Sequence, residues 1–120
     1  MATIKQFEDL DIWKEAIEVA AKVYKLTNTE SIKNDWSMKD QIRRSAISIS
    51  SNIAEGFEYN NNKQFVRFLG YSKGSAGELR SQLFLLKEVN SIDITDFGDL
   101  NDRLISLSKK IMSFIKYLKS

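Results

Sequence analysis

Apolar residues recur at alternating steps of three and four along most of this chain, and no proline interrupts them. That spacing places the apolar side chains on one face of an α-helix. A proline inside a helix costs about 3 kcal/mol, so its absence suits long, unbroken helices. The pattern predicts helices at about 10–26, from the 37–40 segment to 58, at 62–89, and from 93 or 95 through 118.

Each predicted helix carries one principal apolar stripe. In the first helix the stripe is Leu10, Trp13, Ile17, Ala20 and Tyr24. In the second it is Ile42, Ala46, Ile49, Ile53 and Gly56. In the third it is Phe65, Leu69, Ser72, Ala76, Leu79, Leu83, Leu86 and Asn90. In the fourth it is Leu100, Leu104, Leu107, Ile111, Phe114 and Leu118.

The helix starts are predicted from side chains that accept hydrogen bonds from the first backbone amides of a helix. The candidates are Asp9, Ser37 with Asp40, Asn61 with Gln64, and Asp93 or Thr95. Between the second and third helices, Asn60–Asn62 predict a turn, because asparagine tolerates left-handed backbone.

The sequence predicts an all-α fold, an antiparallel up-down-up-down four-helix bundle in a single domain spanning residues 1–120. The first residues contain no apolar signal region, and no stretch has the roughly 18 apolar residues of a membrane span. We therefore expect a cytoplasmic protein that does not enter a membrane.

Cysteine and histidine are absent, which excludes disulfides, thiolate nucleophiles, Ser-His-Asp triads and metal sites built on those residues. The net charge of +2 is mild, so binding to nucleic acid would depend on local clusters of cations. We expect no cofactor and no metal.

If the second and third helices form a hairpin, residues whose numbers sum to about 121 lie side by side. Small residues then face each other in the middle of the pair, and Gly70, Gly74 and Gly77 occupy one helix. Each glycine costs about 1 kcal/mol relative to alanine. Tight packing against a neighbouring helix is the simpler explanation, and a hinge or partner surface is the alternative.

The segments AISISSNIAEGFEY at 46–59 and GYSKGSAGELRSQL at 70–83, together with FEDLDIWKEA near the start, resemble the 23S rRNA intervening-sequence protein family, also called four-helix-bundle proteins. The most specific parts are SNIAEG at 51–56 and GSAGEL at 74–79. The resemblance covers nearly the whole chain.

The resemblance implies a four-helix protomer, assembly into a homo-oligomer that is a pentameric ring, and no established enzymatic activity. The chain is also similar to accessory proteins of diversity-generating retroelements, which bind nucleic acid and a partner protein through a basic surface. RNA or DNA and a protein partner are therefore both expected as candidates.

Two glutamates of the family-like segments, Glu55 and Glu78, are the candidates for acid-base or metal chemistry. The hairpin register separates them by twelve residues, or about 18 Å along the bundle, so they cannot act on one atom. We therefore predict that the protein is not an enzyme. Glu78 is predicted to form a partly buried ion pair with Arg43 or Arg44 that fixes the hairpin register.

The remaining residues of these segments are interpreted as structural. Asn52 is expected to satisfy a backbone or side-chain partner rather than a ligand. Gly56 is expected to permit close approach of helices or local unwinding. Ser75 belongs to the same structural motif.

A basic surface for nucleic acid is predicted from cations spaced one or two turns apart, although solvated helix faces would look the same. The candidates are Lys39, Arg43, Arg44, Lys63, Arg67, Lys73 and Arg80, with Lys109 and Lys116 as extensions. Repetition around a ring would multiply their charge. The aromatic residues Phe57, Tyr59, Phe68 and Tyr71 suit a core, a subunit contact or base stacking equally well.

Further apolar residues lie off the principal stripes; some are expected to be interior, and the remainder predicts a subunit interface. They are Ile47, Ala54, Phe57, Phe68, Phe84, Leu85, Ile105, Met112 and Ile115. The sequence thus favours a homo-oligomeric interaction module that binds nucleic acid, and the alternative is a protein-binding or structural scaffold with no nucleic-acid role.

Overall fold

The computed structural model of the chain describes residues 4–120, and within them it contains four α-helices and no β-strand. The helices are α1 (Asp11–Leu26), α2 (Trp36–Glu58), α3 (Asn62–Glu88) and α4 (Ile94–Lys119). A 3-10 turn at Phe7–Asp9 precedes α1. The all-α prediction is confirmed. The predicted domain, 1–120, extends three residues beyond the described part.

The four helices form an elongated bundle of 45 × 21 × 21 Å. Helix α2 packs against α1 and α3, and α4 packs against α3 and α1. Short connections reverse the chain direction at each step, so neighbouring helices run antiparallel. We call the end of the bundle that holds the α2–α3 turn the hairpin end, and the opposite end, which holds the α1–α2 and α3–α4 connections, the connection end.

Two of the four predicted helix starts are confirmed. The Asn61 side chain accepts a hydrogen bond from the Gln64 amide at 3.1 Å, and Asp93 accepts from Thr95 at 2.6 Å. The prediction of Asp9 is wrong, because Asp9 lies in the 3-10 turn and the apolar Leu10 stands at the N-cap.

The capping box predicted at 37–40 is also wrong. Helix α2 begins at Trp36, and its cap is Asp35, whose carboxylate accepts a hydrogen bond from the Met38 amide at 3.2 Å. An aspartate two residues before Ser37 thus accepts a hydrogen bond from a free amide of the first helical turn in its place.

The core stripes of α2, α3 and α4 are largely those that the sequence predicts. Nearly all of their predicted residues are buried, from Ile42 to Gly56 in α2, from Phe65 to Leu86 in α3, and from Leu100 to Ile111 in α4. Phe114 and Leu118 are partly buried. Asn90 is an exception: it lies beyond α3 with φ 59° and is exposed, because the helix ends at Glu88.

The stripe predicted for α1 is wrong at two of its five positions, while Leu10 and Ala20 are buried and Trp13 packs against the core. Ile17 is 40% exposed and Tyr24 is 39% exposed. The buried face of α1 consists of Ile12, Ala16, Val19, Ala20, Val23 and Leu26. This helix has apolar residues on two adjacent faces, and packing against α2 and α4 selects the face with the branched residues and alanines.

The α2–α3 hairpin has the predicted register. The Ser72 hydroxyl donates to the Ile49 carbonyl at 2.8 Å, and these two numbers sum to 121. Gly56 is buried, and a Cβ added there would lie 2.7 Å from Cβ of Phe68. The expected close approach at Gly56 is confirmed, since no larger residue fits without a shift of the helices.

Tight packing predicted for the glycines of α3 is wrong. Gly70, Gly74 and Gly77 are exposed, and no atom in residues 4–120 lies within 4 Å of where their Cβ atoms would be, apart from the helix itself. Positions four and three residues apart share one helix face, so the three glycines form a stripe on the outer side of α3. The hairpin packs through Ser72, Ala76 and Gly56 instead.

Candidate nucleic-acid interface

Two successive clefts lie on the outer seam between α3 and α4, in the half of the bundle near the hairpin end. One, of about 310 Å³, is lined by Lys73, Lys109 and Lys116 together with Ser108, Met112 and Ser113. The other is lined by Lys63 and Lys119 together with Asn62, Val66 and Leu118. We call Lys63, Lys73, Lys109, Lys116 and Lys119 the basic groove.

The basic groove exists because two segments without acidic residues lie side by side. Neither 59–77 nor 103–119 contains an aspartate or glutamate. Helix packing places these segments next to each other, and none of the described residues lining either cleft is acidic. Lys109 and Lys116 are two turns apart on α4, or about 10 Å along the seam.

The opposite seam of α4, against α1, has a different charge pattern. Lys110 Nζ lies 2.7 Å from Glu15 Oε1, Arg103 lies 3.8 Å from Glu18, and Lys22 lies 3.7 Å from Asp99. Here three ion pairs join charges of opposite sign on the two neighbouring helices. The cations of α4 are thus neutralised on one side and accumulate on the other.

Three of the predicted cations lie far from the basic groove, in the first half of α2 near the connection end. Lys39 lies over the ring of Trp36 at 5.2 Å, and the Arg44 Nε donates to Asp40 at 2.8 Å. They are separated from Lys63 and Lys73 along the bundle axis, because α2 begins at the connection end and α3 begins at the hairpin end.

Arg43 is tied to its own protomer. Its Nε donates to the Thr27 hydroxyl at 2.8 Å, and its terminal nitrogen donates to the Tyr24 carbonyl and to Asn28 Oδ1. The guanidinium carbon also lies 4.1 Å from the centre of the Tyr24 ring. Arg43 therefore fastens α2 to the C-terminal end of α1.

The other two predicted arginines flank the basic groove on α3. Arg80 Nε donates to Asn101 Oδ1 at 2.9 Å, which joins α3 to α4. Arg67 lies one turn after Lys63, and its Nε donates to the Tyr71 hydroxyl at 2.8 Å. That hydrogen bond raises the pKa of Arg67 above the ordinary value for arginine.

The structure thus brings together Lys63, Arg67 and Lys73 of the predicted set with the two predicted extensions, Lys109 and Lys116. Sequence reasoning missed Lys119. Its signal was the absence of acidic residues from the end of α4, which becomes informative only when α3 and α4 are known to be neighbours.

Comparisons with known proteins place these features in a family. The profile of the 23S rRNA-intervening sequence protein matches residues 8–113, which is most of the chain. The chain belongs to the 23S rRNA-intervening sequence protein family. The similarity to accessory proteins of diversity-generating retroelements is not among these matches, and it stays an expectation from the sequence.

A crystal structure of another protein resembles the present fold. It is a protein with unknown function from the S23 ribosomal protein family of Bacteroides thetaiotaomicron. The two chains share 26% sequence identity, with a TM-score of 0.80 over 88% of this chain and 98% of the other. No curated protein matches the chain.

In this member of the 23S rRNA-intervening sequence protein family, the polar residues of the two specific segments bond to one another across the α2–α3 seam. The Asn52 side-chain nitrogen donates to the Ser48 carbonyl at 2.8 Å and to the Ser48 hydroxyl at 2.9 Å. The Ser75 hydroxyl donates to the same Ser48 hydroxyl at 2.9 Å. The expected structural partner of Asn52 is confirmed, and Ser75 joins the same network.

The predicted ion pair between Glu78 and Arg43 or Arg44 is wrong. Glu78 is exposed and accepts a hydrogen bond from the Ser45 hydroxyl at 2.9 Å. The register is as predicted, but the two arginines point away from α3, toward α1 and toward Asp40. A serine two residues further along α2 is therefore the partner of Glu78.

The carboxylates of these segments do not converge. Glu55 is exposed near the end of α2, ten residues from the serine that bonds Glu78, or about 15 Å along the helix. Within residues 4–120, no three acidic side chains are close enough together to hold a metal ion. Within the same residues, no helix is long and apolar enough to cross a membrane.

Proposed function

We propose that this protein is a non-enzymatic interaction module that binds the phosphate backbone of nucleic acid through the basic groove. The observation that carries the proposal is the grouping of five lysines along one seam, where none of the described lining residues is acidic. Unneutralised like charges repel one another and oppose folding. A polyanion laid along the seam would remove that repulsion and release its own counterions.

The basic groove does not recognise a particular base sequence in this proposal. The basic groove offers lysine ammonium groups, which act as point charges and match phosphate oxygens of any strand. The similarity to accessory proteins of diversity-generating retroelements, noted from the sequence, supports the same class of ligand.

The test is the salt dependence of binding to a fluorescent oligonucleotide, for the wild type and for two triple variants. The groove variant is Lys73→Ala, Lys109→Ala and Lys116→Ala. The control variant is Lys33→Ala, Lys39→Ala and Arg44→Ala, which removes the same charge near the connection end. We expect the groove variant to bind at least tenfold more weakly, with a slope of log affinity against log salt reduced by about 2.

The control variant is expected to bind like the wild type. No binding by the wild type at low salt would refute the proposal, as would equal losses in the two variants. The same samples, incubated with magnesium or manganese, test whether the module acts on the strand. We expect the strand to remain intact, and cleavage would refute the non-enzymatic part of the proposal.

We further propose that the module works as a homo-oligomer. Several large apolar side chains remain exposed on the protomer, including Ile17, Ile47, Phe84 and Leu85. Two of the predicted interface residues, Phe68 and Ile115, are buried within the protomer instead. The remaining exposed set supports assembly or a protein partner, which is the alternative function.

Solution mass tests the assembly. A pentamer would weigh about five times the 13.8 kDa of the chain, and it would carry five copies of the basic groove. A monomer at micromolar concentration would refute homo-oligomerisation and leave the apolar residues for a different protein.

A further inference from the structure

Beside the basic groove, at the hairpin end, three aromatic rings are packed in series. Tyr59 stacks on Phe68 with ring centres 5.2 Å apart and planes 19° apart. Phe68 in turn meets Tyr71 edge-on at 5.5 Å. Phe68 is only 9% exposed, whereas Tyr59 is 54% and Tyr71 48% exposed. A buried ring thus holds two tyrosines at the surface.

Arg67 is fixed against the same rings. Its guanidinium carbon lies 5.6 Å from the ring centres of both Phe68 and Tyr71, and its Nε donates to the Tyr71 hydroxyl. A second nitrogen donates to Gln64 at 3.3 Å. A planar cation and two tyrosine rings are therefore held together. We call Tyr59, Arg67, Phe68 and Tyr71 the tyrosine cluster.

The tyrosine cluster is continuous with the basic groove. Lys63, which lines the groove, precedes Arg67 by one helical turn on α3, so the two side chains share one face. A tight turn fixes the backbone beneath the rings: α2 ends at Glu58, Asn60 follows with φ 52°, and the Asn61 side chain caps α3. The rings are consequently positioned before any ligand arrives.

This combination matches two parts of a nucleotide. Cations attract phosphates, while exposed rings and guanidinium planes stack on bases. A base inside a duplex is already stacked on its neighbours and cannot reach such a ring, whereas an unpaired base can. An apolar protein surface would make no favourable contact with the cations that surround the rings.

We propose that the tyrosine cluster stacks unpaired bases and makes the groove selective for single-stranded nucleic acid. The inference rests on the proposed function, because the phosphates of the same strand occupy the basic groove. Tyr59 and Tyr71 supply the stacking surfaces, and Arg67 binds the phosphate between the stacked bases.

The decisive comparison uses three labelled ligands of equal length, about 20 nucleotides, which exceeds the roughly 4–16-nucleotide sites typical of single-strand binders. One is a single strand, one is its duplex, and one is a strand of abasic sites that keeps every phosphate. We expect the single strand to bind about tenfold more tightly than the abasic strand and more tightly than the duplex. RNA and DNA versions show whether the sugar matters.

The outcomes separate the two proposals. If none of the three ligands binds, phosphate recognition by the groove fails. If the abasic strand and the single strand bind equally, phosphate recognition stands and base stacking is refuted. If the duplex binds as tightly as the single strand, selectivity is refuted.

Variants test which residues cause the tighter binding of the single strand. The double change Tyr59→Ala and Tyr71→Ala is expected to abolish the advantage of the single strand over the abasic strand. Tyr59→Phe with Tyr71→Phe keeps both rings and should retain it. Trp36→Ala removes a ring that is 72% exposed near the connection end, and it should change nothing. Thermal unfolding of each variant checks that the bundle is intact, and retention of the advantage in a folded double-alanine variant would overturn the proposal.

Discussion

The two flanks of α3 differ in how their polar groups are used. On the flank toward α2, hydroxyls and a carboxylate bond one another across the seam, as Ser48 does with Ser75 and Ser45 with Glu78, while Asn52 bonds Ser48 within α2. On the flank toward α4, lysines line two clefts in which no lining residue among 4–120 is acidic. Polar residues of the family-like segments thus hold the hairpin together, and none of the five lysines of the basic groove lies in the two most specific parts, 51–56 and 74–79.

This difference has a physical reason. Short polar side chains at a close helix contact must find partners within the protein, because an unpaired buried polar group costs about 1–3 kcal/mol. Lysine ammonium groups at an open seam remain hydrated and need no partner to be tolerated. The first flank therefore permits few substitutions, and the second flank is free to serve a ligand.

The largest expected effect on stability is at Gly56, where α2 and α3 pack closely. Gly56→Ala places a Cβ 2.7 Å from Cβ of Phe68, an atom that cannot move without its backbone. Overpacking of this kind costs about 1–3 kcal/mol, more than the roughly 1 kcal/mol that alanine gains in helix propensity. We expect a net loss of up to about 2 kcal/mol in the free energy of unfolding, measured by urea denaturation.

The same substitution on the outer side of α3 should have the opposite sign. Gly74→Ala meets no atom of residues 4–120 within 4 Å, apart from its own helix, so the gain in helix propensity of about 1 kcal/mol is realised in full. The expected rise in melting temperature is roughly 4 °C. A fall instead would indicate that a second molecule packs against this glycine.

A smaller effect distinguishes the two sides of α4. Lys109→Glu replaces repulsion from Lys73 and Lys116 by attraction, so we expect a gain of about 0.5 kcal/mol together with weaker binding of nucleic acid. Its neighbour is the control. Lys110→Glu sets a carboxylate against Glu15, which now pairs with Lys110 at 2.7 Å, and should lower stability. Shifts of the same sign in the two variants would contradict the charge asymmetry.

The smallest effect is expected at Glu78. Its carboxylate is exposed and accepts a single hydrogen bond from Ser45, which also donates to the Gln41 carbonyl. Glu78→Ala should therefore change the free energy of unfolding by less than about 0.5 kcal/mol. A loss of several kcal/mol in thermal or urea unfolding would mean that this carboxylate is buried in the assembled protein.

The sequence was most informative about the buried residues of α2, α3 and α4. The apolar spacing in α2, α3 and α4 identified their buried residues. The predicted hairpin register, in which paired residue numbers sum to about 121, correctly placed Ser72 beside Ile49. In α1 the same method included the exposed Ile17 and Tyr24 beside the buried Leu10 and Ala20, because all four keep the helical spacing. Only contact with two neighbouring helices decides which of them are buried.

Charges were less predictable than apolar residues. Arg43 and Arg44 are adjacent in sequence, yet one bonds α1 and the other bonds Asp40. Conversely, Lys63 and Lys119 are 56 positions apart and line one cleft. One-dimensional spacing finds cations on one helix, but a surface built from two helices depends on their mutual register.

The position of Arg43 bears on how the bundle opens. One guanidinium holds the last turn of α1, the start of the following connection and the α2 helix, so these parts separate from one another only when its hydrogen bonds break together. Backbone amides of residues 27–35 should then exchange with deuterated solvent as a cooperative group rather than one by one.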